Sequence, residues 1–140
     1  MFDSLLVVIQ GWPDDHVGGT ENQTFALVER LAEMGTAVEV WTQKLRRPRR
    51  PRGVELSDFC RFNTEFALSL PLRLRGAAPR CIYAPLISSH TWMLSRILEP
   101  RFRFVVKVGC GGWAGDVGTS LRTPWGRRKL SDVFRRADAI

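Results

Sequence analysis

Apolar positions along this chain alternate between two patterns. Residues 4–9 (SLLVVI) form a short continuous apolar run, as expected of a strand buried on both faces. Downstream, Phe25, Val28, Leu31 and Ala32 recur at helical spacing, with Leu27 and Met34 widening the stripe. Thr20 and Gln23 have capping-box spacing, which predicts a helix starting at Thr20, and Gly35 suits its left-handed end. Residues 37–42 (AVEVWT) read as a second strand, completing a strand–helix–strand unit of the right-handed parallel kind.

The middle of the chain is less regular. A third strand is expected over 54–62 and a helix over 64–75 carrying Phe66, Leu68 and Leu70, with Pro71 breaking or kinking it. Residues 81–84 (CIYA) predict a fourth strand. Ser88 or Ser89 would cap a helix running through Leu98, with Met93, Leu94, Ile97 and Leu98 facing inward. Residues 102–108 form a fifth apolar run, and a glycine-rich loop is expected over 109–118. Thr123 and Pro124 suit the N-cap and first position of a last helix with Leu130, Val133, Phe134 and Ala137 on its inner face. Ala139 and Ile140 look like the opening of another strand.

Strands alternating with helices predict an α/β fold built on an open, mostly parallel sheet. The 140 residues suit one domain. In such sheets ligands collect at the carboxyl ends of the strands, where strand order reverses. Loops 10–20, 85–90 and 109–118 should therefore share one rim.

Charge changes this picture little. The chain carries 21 basic and 14 acidic residues, a net charge of +7. Lys44, Arg46, Arg47, Arg49, Arg50 and Arg52 concentrate six positive charges in a proline-interrupted loop at 44–53. That loop reads as a solvated segment, or as a contact for an anionic membrane surface or a phosphorylated ligand, and nucleic acid is the weaker partner. No apolar run approaches the ~18 residues of a membrane span, and without a basic start, apolar block and small-residue cleavage site a secretory signal is not expected. Cys60, Cys81 and Cys110 are odd in number and widely spaced, giving neither a disulfide framework nor metal-ligand spacing. A cytoplasmic location follows as the expectation, with the basic loop allowing peripheral contact with the inner face of the membrane.

Candidate chemistry lies on the expected rim. Gly18 and Gly19 precede a helix N-terminus, where backbone N–H groups can approach an anion; a plain turn is the competing reading. Neither a GxGxxG nor a Walker pattern is present. Glu21 sits in the first turn, favourable to the helix dipole. Gly109, Gly111, Gly112 and Trp113 belong to a loop able to wrap a ligand, and Asp116 could accept hydrogen bonds from sugar hydroxyls. His16 and His90 could act as bases near neutral pH, or serve as polar loop and cap residues. Cys110 has no histidine placed to activate it.

The segment Gly18-Gly19-Thr20-Glu21 through Leu31-Ala32, Met34-Gly35-Thr36 and Ala37-Val38-Glu39-Val40-Trp41-Thr42 resembles the opening of glycosyltransferase family 4, with Thr36 where that family commonly has His. The likeness continues through Cys81-Ile82-Tyr83-Ala84, Phe104-Val105-Val106-Lys107-Val108-Gly109 and Arg136-Ala137-Asp138-Ala139-Ile140. It covers nearly the whole chain, and its most specific part is the glycine pair with its helix. The resemblance implies a Rossmann-like N-terminal, acceptor-side domain of a GT-B enzyme, a hexosyl- or glycosyltransferase. Such an enzyme retains configuration as it moves a sugar from a nucleotide-sugar donor to a sugar or lipid acceptor, without a further cofactor or metal. By that likeness Gly18 and Gly19 approach the donor diphosphate; Glu21, Ser88, Ser89, His90, Gly109, Gly111, Gly112 and Trp113 stand as acceptor or rim candidates.

Two departures matter. Many family members carry a histidine after the fifth strand, where this chain reads Val108-Gly109-Cys110, leaving His16 and Asp116 as catalytic candidates. The family's E-x7-E motif belongs to a second domain, for which Glu21 and Glu29 cannot substitute despite their spacing. The expectation is a truncated chain, inactive alone: half of a transferase that needs a second half, or a non-catalytic binding module pairing with another chain.

Overall fold

A computed structural model of the chain describes residues 3–12, 18–43, 49–59, 68–69, 71–75, 81–109 and 115–140. Five strands, β1 (Ser4–Val8), β2 (Ala37–Gln43), β3 (Val54–Phe59), β4 (Cys81–Ala84) and β5 (Arg103–Val106), pair in the order β3-β2-β1-β4-β5. Every pairing is parallel, so the fold is the expected Rossmann-like α/β sheet flanked by helices. Ala139 adds a parallel bridge to Val105, the start of pairing that its sequence position suggested.

The two-residue period of β1 decides which helix meets which face. Leu5, Val7 and Ile9 point to one side, where with Val38 and Val40 they pack on Phe25 and Val28 of α1 (Gly19–Glu33). Leu6 and Val8 point to the other side, joining Ile82, Phe104 and Val106. That second core is closed by Leu94 of α2 (Ser89–Ile97) and by Leu130 and Val133 of α4 (Pro124–Arg136). Between β5 and α4 lies α3 (Asp116–Leu121), a short helix where a loop was expected.

Local signals account for most element ends. Gly35 adopts φ +88°, the left-handed conformation that ends α1. Ser88 caps α2 in a reciprocal box with Thr91, which fixes the cap at Ser88 rather than Ser89. Thr123 caps α4 through Gly126 N, and Pro124 takes the first turn.

Several expectations need correction. Helix α1 starts at Gly19 with Gly18 as its N-cap, not at Thr20. Gln23 is instead drawn away by a hydrogen bond from Lys107 Nζ. The apolar stripe of α1 is narrower than its sequence implies, because Leu27 and Met34 are exposed while Thr24 is buried, its hydroxyl donating to Thr20 O. Ile97 and Phe134 likewise lie on the exposed side of their helices, and Leu68 is exposed. The third strand is described as far as Phe59, and the helix expected over 64–75 is described as helical at 68–69 and 71–75, where Leu74 is buried. Phe66 and Leu70 lie outside the described residues.

Candidate functional site

Because β1, β4 and β5 are parallel, their carboxyl ends open on one edge of the sheet. Chain leaving β1 turns to one face through α1, and chain leaving β4 turns to the other through α2. The two diverge across the β1–β4 boundary, which creates a crevice at this edge.

One wall is made by the start of α1. Gly18 is extended (φ −80°, ψ 163°), and no side chain caps the helix N-terminus among the described residues. The Glu21 carboxylate folds back over the loop: a Cβ at Gly18 would lie 2.3 Å from its Oε2, and one at Gly11 would lie 2.9 Å from its Oε1. Gly19 faces open space, with nothing within 4 Å of an added Cβ. The first-turn N–H groups and the half-buried Glu21 thus meet at the crevice edge.

The opposite wall is held by Asp116. Its Oδ2 accepts from Ile87 N at 3.1 Å and from Gly109 N at 3.0 Å, while Oδ1 accepts from Val117 N at 3.1 Å. One carboxylate therefore pins the loop after β4 to the loop after β5. The two loops pack so closely that a Cβ on Gly109 would come within 2.1 Å of Leu86 Cδ2. Asp116 reaches the rim as expected, yet it arrives with its oxygens already engaged by the backbone.

His90 is nearly buried on the same wall. Its Nδ1 lies 3.3 Å from Ser88 Oγ, and burial pulls its pKa down from 6.5 to about 4. The imidazole is consequently neutral at physiological pH, with one ring nitrogen a hydrogen-bond donor and the other an acceptor. Ser88 is occupied in the α2 cap, accepting from Thr91 N and contacting Thr91 Oγ1 at 3.2 Å. Ser89 is exposed one residue further on.

Sequence reasoning missed Lys107. Its ammonium leaves the end of β5 and donates to Gln23 in the first turns of α1, linking the third rim loop to the first helix. A lone cation ending an apolar strand was the available signal. His16 and the stretch Cys110-Gly111-Gly112-Trp113 lie outside the described residues. Of the basic loop, Arg49, Arg50 and Arg52 are described and exposed. Arg49 does not simply face water: its guanidinium lies 4.2 Å over the Phe25 ring and its carbonyl accepts from Trp12 Nε1 at 2.7 Å.

Away from the rim, an open apolar groove of about 390 Å³ runs along the α1 side of the sheet. Leu5, Leu27, Leu31, Cys81, Tyr83 and Val105 line it. Burial pushes the Cys81 thiol pKa up, with the Asp138 carboxylate adding to the shift, which keeps this cysteine protonated and unreactive. Among the described residues no helix is long and apolar enough to cross a membrane. No protein-family model matches the chain, and searches of curated proteins and of solved structures return no significant match.

Proposed function

We propose that this chain is the acceptor-side domain of a retaining glycosyltransferase that moves a sugar from a nucleotide-activated donor to a sugar or lipid acceptor. The observation that carries the reading is the wall formed by Gly18, Gly19 and the start of α1, which no side chain caps among the described residues, at the β1–β4 crevice. Such an N-terminus offers backbone donors and favourable dipole potential to a diphosphate. On the facing wall, neutral His90 and the Asp116-braced loops would contact the acceptor. A second domain, on this reading, supplies the nucleotide pocket, because orienting donor and acceptor needs both walls. The protein would work in the cytoplasm.

Gly19→Val is the clean probe. A Cβ added at that position has no described atom within 4 Å, so the fold should be preserved while the approach of a diphosphate is blocked. Calorimetry with UDP- and GDP-sugars should show weak binding to the native chain that falls about tenfold or more in the variant, with unchanged circular dichroism. Equal heats from the two proteins would end the phosphate role.

The apolar groove favours a second reading, a non-catalytic module that pairs with another chain through the α1 side of the sheet. Sedimentation of the isolated chain as a clean monomer at high concentration would count against self-pairing there.

A further inference from the structure

The last two helices carry a charge pattern that neither the crevice nor the core uses. Residues 121–136 contain six basic side chains and one acid. The buried side of α4 is made by Gly126, Leu130 and Val133. The single acid, Asp132, is turned toward α2, accepting from Trp92 Nε1 at 3.0 Å and lying 3.8 Å from Arg96. That leaves Arg127, Arg128 and Arg135 exposed on the outer side, none of them in an ion pair among the described residues. A solvated helix usually interleaves both signs on its outer face, since like charges at helical spacing repel.

Large apolar groups are exposed beside these cations. Trp125 is 53% exposed, packed edge-on against Trp92 with ring centroids 5.1 Å apart, and Leu121 at the end of α3 is 44% exposed. Arg127 is held next to Leu121 by donating to its carbonyl at 2.9 Å. An exposed indole and a leucine framed by arginines match the chemistry of a bilayer interface, where aromatic rings sit at headgroup level and cations meet lipid phosphates. Duplex nucleic acid would engage the arginines and have no use for Leu121.

We propose that the outer face of α4, with Leu121 and Trp125 at its N-terminal end, docks the protein on an anionic lipid surface. Arg136 at the far end of α4 bonds to the carbonyls of Glu99 and Phe102 just before β5. The N-terminal end of α4 therefore lies toward the carboxyl edge of the sheet, on the same side as the crevice. Docking there sets the rim beside the headgroups. This surface is separate from the described part of the basic segment, where Arg49 packs on Phe25 of α1 across the sheet. It stands independently of the transferase reading, because vesicle binding and nucleotide-sugar binding are separate measurements.

The test is vesicle co-sedimentation of the full chain with phosphatidylcholine alone and with added phosphatidylglycerol. Native protein should pellet with the anionic vesicles only and should dissociate as salt rises. Arg128→Glu/Arg135→Glu should weaken binding by about 25-fold or more, each lost cation contributing about fivefold before reversal is counted. Trp125→Ala should weaken it further with no change in salt dependence. The charge-matched pair Arg50→Glu/Arg52→Glu should bind nearly as the native chain does. Circular dichroism of each variant confirms its fold. The proposal is overturned if anionic lipid makes no difference, if the loop variant alone loses binding, or if a 20-base-pair duplex binds as tightly with the same sensitivity to Arg128 and Arg135.

Discussion

His90 shows how a residue's chemistry is set by where the fold puts it. As a loop-end histidine it would titrate near 6.5, but burial holds it neutral down to about pH 4. Below pH 6.5 the unfolded chain therefore binds a proton that the folded chain refuses, and stability falls as pH drops from 6.5 toward 4. The loss should reach on the order of 2 kcal/mol at the lower end. Urea titrations at pH 7 and pH 4.5 should show a smaller stability difference for His90→Gln than for the native chain, and equal differences would remove His90 from the account. Asp138 acts in a lower window. A backbone hydrogen bond from Phe104 N and the nearby Arg103 and Arg136 lower its pKa, so its contribution persists above pH 4 and is lost as pH falls further.

At the scale of elements, the ends of α2 and α4 were legible because capping is local: Ser88 with Thr91, and Thr123 with Pro124, act within a single turn. The start of α1 was misplaced because two glycines can begin a helix without leaving a side-chain signature. The join between α3 and α4 depends on Gly126, where a Cβ would sit 2.0 Å from Ser120 O. That neighbour is backbone and cannot rotate away. Gly126→Ala should therefore cost about 2 kcal/mol or more despite alanine's better helix propensity. Chemical denaturation checks it: an unchanged or raised midpoint would mean that the α3–α4 turn shifts freely.

The whole molecule is closed by a second set of long-range ties. Arg136, at the end of α4, donates to Glu99 O at 2.8 Å and to Phe102 O at 2.9 Å, and lies 3.4 Å from Asp138. Asp138 in turn accepts from Phe104 N at 2.8 Å and pairs with Arg103 at 3.3 Å. The edge strand β5 is thus clasped by the chain leaving α4. Arg136→Ala should destabilise the domain by about 2 kcal/mol, since charged hydrogen bonds to the Glu99 and Phe102 carbonyls, the latter part-buried, are lost. Arg136→Lys should recover only part of that, lacking the planar fork. Hydrogen exchange should quicken first at β5, and uniform quickening across the sheet would argue that the clasp is not local.

The sequence by itself determined the order of the five strands and of α1, α2 and α4, their parallel α/β class and two of the helix caps. These follow from apolar period and from side chains acting over three or four residues. Tertiary structure decided which faces those helices bury, hence the exposure of Leu27, Ile97 and Phe134. It also decided that Asp116 braces two loops from 29 and 7 residues away, and that Lys107 meets Gln23 across 84. Such pairings carry no local signal, because they arise only when packed layers bring distant segments into hydrogen-bonding range. The charge of α4 could be counted in the sequence, but its unbalanced outer face exists only because Asp132 turns inward to Trp92.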